Sequence, residues 1–119
     1  LADRLHDWAM LRGFDREHGG FFDEIDRKGA PIRQTKRIWP LAECIKSTAA
    51  RVAAGPSEAG REQLSLLLDL LFQRYLKADG GWIEHYDRVW RPTVTDLLGS
   101  TSYHIVLALA EARRVLAVR

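Results

Sequence analysis

Gly19-Gly20-Phe21-Phe22-Asp23-Glu24-Ile25-Asp26-Arg27 and Gly80-Gly81-Trp82-Ile83-Glu84-His85-Tyr86-Asp87-Arg88 share one pattern, and their reading decides the fold. The second passage begins 61 positions after the first. The same interval carries Asp26 onto Asp87, Arg27 onto Arg88 and Pro31 onto Pro92 without a gap. Self-similarity at a fixed interval marks a repeat architecture, so the chain divides into two units, residues 1–60 and 61–119.

Both units read alike. A leading helical stretch, about 1–13 and again about 60–76, spaces Leu1, Leu5, Trp8 and Leu11, then Leu64, Leu67, Leu68 and Leu71, at helical intervals. Gly55-Pro56-Ser57 breaks the chain before the second of these. Each Gly-Gly pair then opens backbone angles closed to other residues and leads into a short extended segment that ends in a turn. Phe21 to Ile25 is too short for a core sheet and suits a small rim hairpin, so Asp23, Glu24, Glu84 and His85 are expected to be mostly solvated. A closing helix follows in each unit, about 39–54 and about 101–117. Ile105-Val106-Leu107-Ala108-Leu109-Ala110 is apolar nearly all round, which predicts burial on more than one side. Ala42, Ala49, Ala50, Ala53 and Ala54 supply small residues for close helix packing. The expected fold class is all-α: two helical hairpins with small rim β-hairpins, stacked as an array of helix pairs. A self-contained four-helix bundle is the alternative.

The whole chain bounds the rest. Its 119 residues fit one domain, and 46% hydrophobic with 29% charged content is globular. Its 18 basic residues are scattered among 16 acidic ones for a net charge of +2. Nucleic acid and membrane are therefore not expected partners. Cys44 is the single cysteine, which excludes an intrachain disulfide and makes a reducing, cytoplasmic location the expectation. The start, Leu1-Ala2-Asp3-Arg4-Leu5-His6, has no signal-peptide pattern, and it opens without Met inside a helical pattern. A segment of a longer chain is expected, and some self-association through apolar faces with it.

The interval of 61 also selects the chemistry. It places Glu43 and His104 at equivalent points near the starts of the two closing helices, in Trp39-Pro40-Leu41-Ala42-Glu43 and Ser102-Tyr103-His104-Ile105-Val106. Equivalent positions on neighbouring helices of an array face one groove, where a carboxylate and an imidazole share a substrate. Histidine suits proton transfer near neutral pH. Trp39 and Trp82 offer flat faces on which a sugar ring stacks, though an aromatic residue also simply fills a core. Lys36 and Arg37 precede Trp39 and suit hydroxyl, carboxylate or phosphate groups, or else form a solvated cluster. Cys44 is read as a small buried hydrophobe. His6, His18, His85 and His104 have no metal-ligand spacing, and no phosphate-cradling loop is present, so neither metal nor cofactor is expected.

Gly19-Gly20-Phe21-Phe22-Asp23-Glu24, Thr35-Lys36-Arg37-Ile38-Trp39-Pro40-Leu41-Ala42-Glu43, Gly80-Gly81-Trp82, and Ser102-Tyr103-His104 with Leu109-Ala110-Glu111 together resemble the last third of the N-acylglucosamine 2-epimerase superfamily. The resemblance runs over nearly the whole chain. It implies two of the six hairpins of an (α/α)6 barrel. It also implies cofactor-free C2 epimerisation or aldose–ketose isomerisation of a sugar such as mannose, glucose or an N-acylglucosamine, phosphorylated or not. His104 matches the later of the family's two acid–base histidines. His6-Asp7-Trp8 lacks the downstream Glu of the earlier motif, so no residue here matches that one. Trp39 and Glu43 match positions lining the sugar pocket, and Arg37 lies near them. The Trp-Pro-x-x-Glu form is similar to the mannose-isomerase branch. An (α/α)-barrel glycoside hydrolase would instead need a carboxylate pair, with Glu43 and either Glu84 or Asp96 as its members. A non-catalytic helical domain for sugar binding or assembly is the third reading.

Overall fold

The computed structural model describes residues 1–94 and 96–117. Helix α1 (Ala2–Trp8) runs into a π-helical turn, Ala9–Gly13, and α3 (Glu58–Leu70) into another, Leu71–Tyr75. Each leading helix thus ends on a widened turn just before its rim segment, a shape the periodicity does not reveal. The closing helices are α2 (Ile38–Ala54) and α4 (Gly99–Leu116). Pro40 falls in the first turn of α2, where its missing N–H costs nothing, and Gly55 follows the last turn.

Helix α2 lies at the centre. Its Ile38, Leu41, Ala42, Ile45, Ala49 and Val52 are buried together with Leu64, Leu67, Leu71 and Tyr75 of the α3 arm and Ile105, Ala108, Ala112 and Val115 of α4. Full burial of a side chain such as Ile45 or Leu64 contributes about 1.5–3 kcal/mol. Ala42 and Ala49 of α2 and Ala108 and Ala112 of α4 are buried in this core, whereas Ala50, Ala53 and Ala54 are exposed. Burial of α4 is one-sided, against expectation. Ile105 and Ala108 are buried, but Tyr103 and Val106 are 61% and 62% exposed, because no described element packs on that face.

The rim departs from two separate hairpins. Strands β1 (Glu24–Ile25) and β2 (Pro31–Arg33) pair antiparallel, as expected. In the second unit, β4 (His85–Tyr86) and β5 (Pro92–Val94) are joined by β3 (Lys36–Arg37), which belongs to the first. The register pairs Lys36 with Tyr86 and Arg37 with His85. Both hairpin turns are built alike: Asp26 Oδ1 accepts from the N–H groups of Lys28 and Ala30, and Asp87 Oδ1 from those of Val89 and Arg91.

The crossing of β3 has a visible cause. Lys36 is fully buried, and its Nζ donates to Gly19 O at 2.5 Å and Arg88 O at 2.7 Å. The same Nζ pairs with Asp15 Oδ2 at 3.1 Å. Of the two readings of Lys36, neither a ligand group nor a solvated cluster results: it forms a buried ion pair tying the units together, since a buried ammonium needs a partner for every donor.

Candidate active site

Residues 37 to 43 and 98 to 104 lead into α2 and α4 side by side, and a cleft of about 310 Å³ opens between them. Arg37, Trp39, Glu84, His85, Leu98, Ser100, Thr101 and His104 line it. The structure therefore brings Arg37, Trp39 and His104 together. Glu43, one helical turn below Trp39, reaches His104 from the side: His104 Nδ1 lies 2.6 Å from Glu43 Oε1. The equivalence read from the interval thus becomes a direct contact.

Glu43 also pairs with Lys46 Nζ at 2.6 Å. Burial pushes its carboxyl up, but the bonds from Lys46 and His104 outweigh that and hold it below the usual carboxylate range. An ionised carboxylate only accepts, so Glu43 takes its bond from Nδ1–H of His104 and leaves Nε2 as the nitrogen it does not engage. The imidazole sits between two aromatic rings. Trp39 lies 6.1 Å away by ring centroids and Tyr103 5.3 Å away, nearly perpendicular. Trp39 remains 37% exposed, so one part of its indole is open to a ligand. The Arg37 guanidinium stands 5.4 Å over that indole and is anchored by Asp23, whose Oδ1 is 2.9 Å from Arg37 Nε.

Two rim carboxylates overturn the expectation of solvation. The Asp23 side chain is only 2% exposed and accepts from the Arg37 N–H at 3.1 Å and the Thr35 hydroxyl at 2.5 Å. Glu84 is 1% exposed and accepts from Trp82 Nε1 at 2.8 Å and the Thr101 hydroxyl at 2.7 Å. Each carboxylate anchors the start of a closing helix, and four polar donors, two on each, satisfy these buried oxygens. Trp82 is thereby spent on Glu84 and does not line the cleft. Glu24 is exposed as expected, while His85 is half-buried in the cleft wall.

His85, Ser100 and Thr101 are cleft residues that sequence reasoning passed over. The interval of 61 carries signal for one of them, since it maps Trp39 onto Ser100 as it maps Arg37 onto Leu98. Cys44 is largely buried with its thiol pushed up to about 11 by that burial, away from nucleophilic use. His6 lies outside the cleft. Its Nδ1 is 2.9 Å from Ser47 Oγ, in a larger groove of about 1510 Å³ that holds none of Arg37, Trp39, Glu43 and His104. Among the described residues no three His, Cys, Asp or Glu side chains gather as a metal site, and no helix is long and apolar enough to cross a membrane.

Known proteins share this fold. A cellobiose 2-epimerase from Dictyoglomus turgidum is 27% identical over 94 residues, which are 77% of this chain and 23% of that protein. The solved cellobiose 2-epimerase of Spirochaeta thermophila superposes with a TM-score of 0.81 at 22% identity, over 94% of this chain and 31% of its own. A D-mannose isomerase does so with 0.83 at 22% identity, over 98% and 30%. The cellobiose 2-epimerase of Bacillus thermoamylovorans gives 0.84 at 15% identity, over 97% and 32%. This chain spans less than a third of each of these relatives. The solved relatives fix the fold: the two helical hairpins correspond to part of an (α/α)6 barrel. The family profile described as N-acylglucosamine 2-epimerase (GlcNAc 2-epimerase) matches residues 1–108. With nine-tenths of its length under that profile, the chain belongs to the N-acylglucosamine 2-epimerase family.

Proposed function

We propose that the cleft beside Trp39 takes the open-chain form of an aldose and that the protein moves a proton at C2, with His104 as the acid–base residue. One observation carries this reading: the 2.6 Å contact of His104 Nδ1 with the Glu43 carboxylate at the wall of an aromatic cleft. The substrates named for the relatives, cellobiose and mannose, supply the class. Each has an aldehyde in its open-chain form and a proton on the neighbouring carbon.

His104 Nε2 takes the C2 proton, the C2–H electrons form the C1–C2 double bond, and the carbonyl oxygen gains the charge. The Glu43 carboxylate faces the imidazolium that results. Arg37 and the Ser100 hydroxyl line the same cleft and suit the sugar oxygens. Returning the proton to C1, with the O2 hydroxyl proton passing to the charged O1 so that C2 becomes the carbonyl, yields the ketose; returning it to the opposite face of C2 re-forms the C1 carbonyl and yields the epimer. The first outcome needs one acid–base group on one face, which His104 supplies. The second needs another group across the sugar.

The glycoside hydrolase reading loses its carboxylate pair. Glu84 is committed to Trp82 and Thr101, and Asp96 is exposed at the surface. The test is deuterium incorporation at C2 of mannose or cellobiose in heavy water. His104→Asn should abolish exchange while the protein stays folded. Exchange at the original rate would remove His104 from the reaction, and cleavage of the disaccharide would restore the hydrolase.

A further inference from the structure

The geometry points to Lys36 as a positioning residue: buried behind the cleft, it sets which side chains β3 and β4 present to the sugar. This rests on the sugar-binding reading of the cleft. Strands of two residues form two ladder pairs, too few to fix a register by themselves. A slip of one residue would reverse every side chain, because neighbours in a strand point to opposite faces. Something outside the ladder must choose.

Lys36 meets that requirement. All three of its ammonium donors are engaged, by Gly19 O, Arg88 O and Asp15 Oδ2. The Trp90 ring lies over the ammonium at 4.7 Å. Asp15 is itself 2% exposed and also receives Arg88 Nε at 3.0 Å. Trp90 Nε1 donates to His18 O at 2.6 Å, closing the loop between the units. Trp90 takes a φ of +67°, a left-handed conformation that a bulky residue adopts at a cost. Its ring fills the space over Gly20, where an added Cβ would come within 2.8 Å of it. Tyr86, the register partner of Lys36, packs on the same Trp90 ring at 5.2 Å. So the pair Lys36/Tyr86 is drawn to the clamp, and the alternate pair Arg37/His85 is turned to the cleft.

The clamp is separate from the acid–base contact, which the packing of α2 on α4 holds. That separation makes the role testable. Calorimetric titration with mannose, glucose and cellobiose would be combined with imidazole NMR of His85 and His104 in the whole protein. Lys36→Met should weaken sugar binding roughly tenfold or more, as expected for a displaced positioning group. It should also move the His85 resonances and leave the His104 titration curve as in the parent protein. Asp15→Asn, which keeps the side-chain shape, should do the same to a smaller degree and decides the matter if Lys36→Met does not fold. Val52→Ala, on the far part of α2, is the control for lost stability alone and should leave both readouts unmoved. The proposal is overturned if Lys36→Met or Asp15→Asn leaves His85 in place, or if Val52→Ala weakens binding as much. If the parent protein binds none of the sugars, the functional reading fails, and the His85 resonances still decide the positioning role.

Discussion

The two units share a scaffold and differ at the side chains that matter. Arg37, Trp39 and Glu43 of the first unit stand where the second has Leu98, Ser100 and His104, and five of these six line the cleft. The sixth, Glu43, holds His104 by its ring. A cation, a flat indole and a carboxylate therefore face an apolar side chain, a hydroxyl and an imidazole at matched heights on neighbouring segments. A repeat with identical side chains would put two imidazoles or two carboxylates in contact, and like groups that close repel when charged. Divergence at the equivalent positions is what turns a structural repeat into a carboxylate–imidazole contact. The rim shows the same rule. Asp23 anchors the start of α2 through the Arg37 N–H, and Glu84, one methylene longer, reaches the Thr101 hydroxyl in the first turn of α4.

Exchanging the pair breaks this comparison most directly. Glu43→His combined with His104→Glu keeps the carboxylate–imidazole contact between the helices but moves the imidazole to the other unit, beside Lys46. Exchange of deuterium at C2 should fall about 10²–10⁴-fold, the usual worth of a positioned general base, with thermal stability little changed. Retention of a tenth or more of the rate would mean that the two positions are interchangeable and that the asymmetry carries no chemistry.

The hairpin turns offer a second contrast, smaller in effect. Gly29 and Trp90 occupy the same place in their turns, and both adopt positive φ, +86° and +67°. Only glycine does so without strain, a cost of about 1–2 kcal/mol for other residues. Trp90 bears it because its ring packs on Tyr75, Tyr86 and Lys36. Trp90→Gly should therefore destabilise by about 2–3 kcal/mol, the lost ring outweighing the relieved strain. Gly29→Ala should cost at least the φ penalty of about 1–2 kcal/mol, since the new Cβ also meets Arg12 Cβ at 2.9 Å. Denaturant unfolding measures both. A gain in stability from Trp90→Gly would show that strain, not packing, dominates at this turn.

Much of this was legible in the chain. The glycine pairs and turn aspartates repeat at one interval because each builds a turn through its own backbone and side chain, so local chemistry reports local structure. The helices are legible for the same reason, and so are Arg37, Trp39 and His104, which inherit their places from the helix starts. What escaped detection depends on partners distant in sequence. Lys36 reads as a surface lysine until Arg88, 52 residues on, covers it. Glu84 reads as solvated until Thr101 donates to it. The crossing of β3 leaves no periodic trace because two residues have no period. Val106 is the reverse case, an apolar residue in a helical run whose face the described elements leave open.

The leading helices sharpen the comparison from the other side. Helices α2 and α4 begin on Arg37 and Leu98, neither of which offers a side-chain cap, and rim carboxylates anchor their first turns. Helix α3 begins on Ser57, whose Oγ accepts from the Gly60 N–H at 3.1 Å. Its start is thus determined by a residue three positions away, and those of the closing helices by residues 14 and 17 positions away. Ser57→Ala should then cost about 1 kcal/mol, the usual value of a lost N-cap, and should leave the His104 titration curve and sugar binding unchanged. The expected loss is small because water can replace the serine oxygen at an exposed helix end. A change at His104 on removing this cap would couple the leading helix to the cleft. The local anchoring of α3 and the long-range anchoring of α2 and α4 would then be one cooperative unit rather than two.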